Sequence, residues 1–209
     1  MKQAGFAEVE TKTKILRAAR EIFSERGYDG ASMAEVAKKA GVNKALPFYY
    51  FKSKENLLRE LVRNAGESIL EWRDAFTKNI DMADKESLEK YYDNALALME
   101  SRREMIRIVL VESFKGGGEN IPLFDFMEPV VKGVGDHLRS LGDRSLDAAK
   151  LMTAELFFDA LPLFAFAALG RKWAEKNGFE YKALREDFFD SFRSIYIDYV
   201  YKKHFANKK

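Results

Sequence analysis

Apolar residues along this chain recur three and four positions apart, and no stretch alternates as a half-buried strand would. Ile15, Ala19, Ile22 and Phe23 fall on one face of a first helix, and Gly27 follows as a stop that tolerates the left-handed conformation. Ser32-Met33-Ala34-Glu35 has the spacing of a capping box and predicts a short helix over about residues 33–39. Gly41 permits a sharp turn, Asn43 is placed to cap a third short helix, and Ser53 to cap a fourth that runs well beyond Leu61. Further helices are predicted over roughly 84–100, 102–115, 122–141, 144–176 and 181–204, with breaks at Gly116-Gly117-Gly118, Gly142 and Gly178. The pattern is that of an all-α chain. Three helices in residues 1–60 feed a long helix, which leads into a helical domain over 61–209.

The segment ASMAEVAKKAGVNKALPFYYF has the layout of a helix-turn-helix. Its first helix gives Val36 and Ala37 to the core, Ala40 and Gly41 allow a tight turn, and Val42 plugs the angle between the helices. The second helix then projects its first residues outward, where they can enter a major groove. Charge follows the same division. The first 64 residues hold 13 Lys and Arg against 8 Asp and Glu, a net of +5, whereas residues 65–209 hold 22 against 25. A basic head on a mildly acidic body points to nucleic acid at one end, although ordinary scatter of charge produces similar figures.

The stretch from Lys14 to Leu58 resembles the DNA-binding domain of the tetracycline-repressor (TetR) family, through ILRAAREIFSERGYDGASM and EVAKKAGVNKALPFYYFKSKENLL at their spacing. The resemblance implies an N-terminal helix-turn-helix DNA-binding domain and a C-terminal helical ligand-binding and dimerisation domain. It places DNA contacts on Asn43, Lys44 and Ala45 at the start of the recognition helix, and on Tyr49 and Tyr50. It also places Ser32 where its amide and hydroxyl hold a phosphate, and Lys54 as a backbone-phosphate clamp. Tyr28, Phe48 and Phe51 are expected in the core, and Lys38 and Lys39 on the solvated surface. Two positions depart from the family pattern. Pro47 stands where an aliphatic residue is usual and removes an amide that would bond the Asn43 carbonyl, so the helix is expected to start later or with a distorted first turn. Phe48 replaces a frequent tyrosine.

Beyond the head, the resemblance licenses architecture only. Phe188, Phe192, Ile195, Tyr196 and Tyr199 form one helical stripe, and Leu151, Phe158, Leu161, Phe164 and Ala168 mark an apolar neighbour. Two such helices can pair with their symmetry mates, with Phe158, Leu161 and the first stripe in a homodimer seam. Burial within one subunit is the competing reading. Trp72, Phe76, Met99, Met105, Phe114, Met127, Met152 and Phe157 are candidates to line an effector pocket, because methionine and aromatic side chains adapt to varied apolar ligands. The same residues also serve for close packing. Glu155 and Asp159, four apart, share a helical face and are candidates to meet a cationic ligand; Glu112 invites the same question.

Composition narrows the remaining classes. Cysteine is absent, which removes disulfides, thiol nucleophiles and Cys-ligated metals. The two histidines, His137 and His204, are far apart, and no nucleophile motif, phosphate loop or metal spacing occurs, so neither enzyme chemistry nor a cofactor is expected. The first residues lack an apolar core of signal-peptide length. The apolar stretch from Ala154 to Leu169 carries Glu155, Asp159 and Pro162, so no membrane span is expected and the location is expected to be cytoplasmic. The expected partners are therefore a double-stranded operator with an inverted repeat, a small-molecule effector and a second copy of the chain. The alternative is a helical protein-interaction module that does not bind DNA.

Overall fold

The computed structural model describes residues 2–78, 81, 84–115, 122–140 and 147–204. The breaks expected at Gly116-Gly117-Gly118 and Gly142 lie outside the described residues. Among the described residues every regular element is helical. They are α1 (Lys2–Arg26), α2 (Met33–Ala40), α3 (Ala45–Phe51), α4 (Lys54–Thr77), α5 (Lys85–Ser101), α6 (Arg103–Phe114), α7 (Pro122–Ser140), α8 (Ala148–Ala154), α9 (Leu161–Asn177), α10 (Tyr181–Phe192) and α11 (Asp198–His204). A π-helical turn, Glu155–Ala160, joins α8 to α9, and a second, Arg193–Ile197, joins α10 to α11.

Contacts gather the chain into two compact units. The first comprises Met1–Gly66 and Arg107–Phe126, the second Glu67–Ile106 and Met127–Lys209. A linear reading divides the chain at residue 60 and leaves 107–126 with the C-terminal part. Packing assigns that segment to the first unit, where Lys115 pairs with Asp29 at 2.7 Å. Gly66 helps for the same reason: a Cβ there would stand only 3.5 Å from the Phe126 carbonyl oxygen.

The first unit is built around the face the periodicity marks. Ile15, Ala19, Ile22 and Phe23 of α1 are buried with Val36, Ala37, Leu57 and Val62. Each of the large side chains contributes roughly 1.5–3 kcal/mol of transfer free energy before entropy is charged. The capping box is formed in full: the Glu35 amide donates to Ser32 Oγ at 3.2 Å, and the Ser32 amide donates to Glu35 Oε2 at 2.9 Å. At the other end of α2, Gly41 takes φ 68°. Its amide donates to the Lys38 carbonyl at 3.2 Å and that of Val42 to Ala37 at 3.0 Å, the paired bonds of a Schellman stop. A side chain at Gly41 would be strained by its left-handed backbone. Ser53 caps α4 as the sequence predicts, its Oγ accepting from the Asn56 amide at 3.1 Å.

In the second unit α5, α9 and α10 pack together. Leu88, Tyr92, Leu96 and Met99 of α5 are buried, as are Leu163, Phe164 and Ala167 of α9 and Phe192 of α10. Arg185 on α10 ties to α5 through Asp93 at 2.9 Å and Glu100 at 3.0 Å, and the Tyr181 hydroxyl also donates to Glu100. Ala148–Asn177 is, among the described residues, the one helical run long and apolar enough to cross a membrane by length and composition. Its Glu155, Leu163, Phe164, Ala167 and Ala168 are buried, and α9 meets α5 and α10, which is a core position in the bundle. The predicted helix over 144–176 begins among residues outside the description; in the structure Asp147 caps Ala148 onward, accepting from the Ala149 and Lys150 amides. Neither π turn was legible in the spacing.

Candidate nucleic-acid interface and cavity

The first turn of α3 carries the consequence of Pro47. Asn43 Oδ1 accepts from the Ala45 amide at 2.9 Å, as a cap should. The Asn43 carbonyl, denied an amide at residue 47, accepts instead from Leu46 at 2.9 Å. The first turn is thus tightened to i→i+3 bonding, and regular α-helix starts at Ala45, two residues past the capping side chain. Pro47 itself is fully buried, with Phe51 one turn further on. Those inward positions leave Lys44, Ala45, Phe48, Tyr49 and Lys52 exposed along one side of α3.

Phe48 is thereby corrected: it is not core but 51% exposed, beside Tyr49 at 66%. Phe51 is buried as expected, and Tyr28 is half-buried against Phe23, ring centroids 5.4 Å apart. Tyr50 is half-buried, with Lys12 Nζ 5.3 Å from its ring centroid and Tyr49 edge-on at 5.0 Å. Lys52 closes α3 with φ 65°, and its Nζ donates to the Tyr49 carbonyl at 2.8 Å. Lys38 is exposed, while Lys39 bridges Glu21 at 3.1 Å and Glu25 at 3.2 Å, pinning α2 to α1.

Two expected phosphate holders have work inside the unit. The Ser32 hydroxyl and amide both donate to Glu35 Oε2, so neither is free for a phosphate in this conformation. These bonds, the hydroxyl's first, hold the Glu35 carboxyl below its usual range. Lys54 Nζ donates to the carbonyls of Tyr28 and Ala31, both at 3.0 Å, and lies 4.3 Å from the Tyr28 ring centroid. The ammonium group has three donors, so one remains. Asn43, Lys44, Ala45 and Tyr49 are exposed and close in space, and they form the accessible part of the predicted contact set.

The second unit holds a cavity of about 130 Å³, whose lining includes Arg73, Tyr91, Tyr92, Glu155, Asp159 and Tyr196. A groove of about 550 Å³ shares Ala154, Tyr196, Tyr199 and Lys203 with it. Of the residues expected to line a pocket, Glu155 and Asp159 do so. The others are corrected. Trp72 and Phe76 stand behind the wall, stacked on or edge to Tyr91 at 5.5 and 5.9 Å. Met99, Met105 and Met127 are buried away from the cavity, and Phe114, Met152 and Phe157 are exposed. Glu112 is also outside it, paired with Lys115 at 2.6 Å.

The expected dimer stripe divides in a similar way. Phe192 and Tyr196 are buried within the subunit, which corrects their assignment to the seam, while Phe188 is half-buried and stacks on Phe166 at 4.1 Å. Leu161 is half-buried. Phe158, Ile195 and Tyr199 remain exposed, joined on α9 by Leu169 and Trp173. The π turn explains the division, because its extra residue breaks the 3.6-residue phase on which the stripe was drawn.

Glu155 is buried, and its Oε1 accepts from the Tyr196 hydroxyl at 3.1 Å. Burial pushes the Asp159 carboxyl well above the usual range, and the adjacent Glu155 pushes it further. Burial also raises Glu155, against the opposing hydrogen bonds from Tyr196 and Asp159. Burial raises Tyr91, Tyr92 and Tyr196 as well. Asp159 Oδ1 is buried with no hydrogen-bond partner. Arg73 favours the charged form of Glu155 through space, but its guanidinium is hydrogen-bonded elsewhere, to Asp74 Oδ1 at 2.8 Å and to the Val130 carbonyl at 3.4 Å. It reaches that carbonyl past Gly133, where any Cβ would collide with its guanidinium. Arg73, Tyr91, Tyr92 and Lys203 were missed in the sequence, where none stands in a distinctive spacing.

A stability measurement follows from the acid pair. The folded state keeps protons that the unfolded chain releases near pH 4, so the pair's contribution is whole below that pH and is lost as pH rises through the raised folded values. Asp159→Asn removes the ionisation that favours the unfolded chain above about pH 4, a relief of about 1.4 kcal/mol for each pH unit above that value until the raised folded value is reached, or very roughly 2–4 °C of Tm per kcal/mol. The variant's gain in Tm over the parent is expected to be larger at pH 8 than at pH 5 in calorimetric melts. An equal gain at both pH values would contradict the pH linkage.

An exposed helix face, held outward by a capped partner helix and a left-handed glycine turn, defines a helix-turn-helix reader. Residues 15–61 match the family model for bacterial regulatory proteins of the tetR family. YttP of Bacillus subtilis, an HTH-type transcriptional regulator by name, is 33% identical over 106 residues, covering 50% of this chain and 51% of its own length. The chain spans about half the length, or less, of the curated relatives it matches. Among solved structures, a TetR-family regulator from Mesorhizobium loti shares the fold with TM-score 0.63 at 20% identity, covering 90% of this chain and 98% of its own. FadR of Bacillus subtilis, solved in complex with stearoyl-CoA, has TM-score 0.60 at 19% identity, covering 86% and 96%. Residues 15–61 thus carry the DNA-binding domain of the tetR family of bacterial regulatory proteins, and the chain as a whole shares the fold of solved TetR-family regulators.

Proposed function

We propose that the protein is a dimeric, sequence-specific DNA-binding regulator of the cytoplasm, a repressor that a small, largely apolar effector releases from its operator. One observation carries the reading. The recognition-helix residues Asn43, Lys44, Ala45 and Tyr49 are exposed together on a rigid turn, inside the segment that matches the family. Most of their contacts would go to phosphate and fix register, while the first residues of α3 reach base edges. A single small head reads too few base pairs, so two copies on half-sites about 34 Å apart are required. Phe158, Ile195 and Tyr199, exposed along one groove, and Leu169 and Trp173, exposed on α9, are apolar side chains suited to bring them together.

Release needs an effector that prefers one separation of the two heads over the other, since equal affinity for both shifts nothing. The cavity in the second unit supports such a site. The stearoyl-CoA complex of FadR, which shares the fold, supports small-molecule binding in this architecture. Selection of bound sequences from random duplex DNA tests the reading. The expected product is an inverted repeat whose affinity falls steeply with salt. No enrichment at low ionic strength would overturn it in favour of a helical interaction module.

A further inference from the structure

The cavity bounded by Glu155 and Asp159 has a chemistry more specific than apolar. We propose that it takes a small organic cation, a primary ammonium or amidinium on a compact apolar body, with the two carboxyls receiving the charge. The inference rests on the effector reading above and names the effector's class.

Both carboxyls sit in the cavity wall, and among the described residues no ion pair reaches either. The other charged and titratable groups of the lining are accounted for. From α4 come Arg73 and Asp74, bonded to each other at 2.8 Å. From α5 come Tyr91 and Tyr92, and from the second π turn and α11 come Tyr196, Tyr199 and Lys203, the last with its Nζ 5.3 Å from the Tyr199 ring centroid. Arg73 and Lys203 act on Glu155 through space, but among the described residues neither is within ion-pair distance of the two acids, and Asp159 Oδ1 lacks a donor. A carboxylate turns easily about its last bond, so that oxygen can be presented to an incoming N–H. An anionic ligand would meet two acids, and a neutral one without a donor would leave Oδ1 unpaired.

The walls suit the same guest. Tyr91, Tyr92 and Tyr196 surround the acids with aromatic rings, whose faces attract cations. A volume of about 130 Å³ is close to that of engineered cavities that hold one benzene ring. Both π turns converge here. Glu155 opens one, Tyr196 lies in the other, and their hydrogen bond joins the two helices at this point. Such turns are rare and concentrate at functional sites.

Binding keeps charge in balance: the ligand arrives protonated, the acid pair sheds a proton to solvent, and an ion pair replaces a shared hydrogen. The test is calorimetric titration of the full chain near neutral pH with benzylamine, benzyl alcohol and benzoate. Benzylamine is expected to bind at least about tenfold more tightly than the alcohol, a difference of ~1.4 kcal/mol, with benzoate giving no binding. Buffers of different ionisation enthalpy should report proton release with the amine alone. Asp159→Asn and Glu155→Gln should each weaken the amine about tenfold and leave the alcohol unchanged. Should a variant not fold, the amine-to-alcohol ratio and proton release of the parent decide. Equal binding of amine and alcohol, or no amine binding, overturns the assignment. Duplex binding measured on the same preparation separates the two readings: if it persists, only the cation assignment has failed.

Discussion

Replacing Lys44 and Tyr49 together by alanine is expected to weaken operator binding about 100-fold or more and leave the fold intact. Both side chains are exposed, and Tyr49 packs edge-on against Tyr50 and near Lys52, outside the core. Exposed substitutions of this kind usually move stability by no more than about 0.5 kcal/mol. A lost base or phosphate contact costs about 1–3 kcal/mol per protomer, and a symmetric dimer loses each contact twice. Removal of Lys44 should also flatten the salt dependence, because fewer counterions are released. A gel-shift titration with the selected operator checks affinity, and circular dichroism checks the fold. Unchanged affinity would remove α3 from the interface.

The second large effect concerns the proposed pairing of two copies. Leu169→Glu combined with Ile195→Glu is expected to convert a dimer to monomer at micromolar concentration. Leu169 is 57% and Ile195 70% exposed, so neither substitution buries a charge within the subunit. Across a two-fold interface each glutamate appears twice, and every buried, unpaired carboxylate costs several kcal/mol. Loss of the second reader also removes the effective-concentration advantage, about 10²–10⁴ in affinity. Sedimentation equilibrium measures the first consequence and operator titration the second. A variant that remains dimeric would exclude this face as the seam.

The two variants also mark how far the sequence could be read. The head was legible because its signals are local. A serine three residues before a glutamate makes a capping box whatever surrounds it, and a glycine at the end of α2 takes φ 68° because the turn requires it. Pro47 was read through the amide it lacks, and the tightened first turn of α3 follows from that alone. Phe48 was misplaced because helical phase was not carried through the delayed start: Pro47 and Phe51 take the inward positions, which turns Phe48 outward. Ser32 and Lys54, which the family resemblance places on phosphates, also have partners within the head that a side chain's type does not reveal. Glu35 claims the first, and the Tyr28 and Ala31 carbonyls claim the second.

By itself the sequence determined an all-helical chain, the three-helix head with its turn and caps, and an acidic pair on one face of an apolar helix. Those features depend on contacts within a few residues, where spacing and chemistry suffice. The tertiary structure alone decided that Phe192 and Tyr196 face inward while Ile195 and Tyr199 do not, and that Arg73, Tyr91 and Tyr92 close a cavity around Glu155 and Asp159. The reason is physical. Two π turns shift the helical phase midway along their helices, and the hydroxyl that meets the buried Glu155 carboxyl, that of Tyr196, stands 41 residues away in the chain, a distance that local periodicity does not encode.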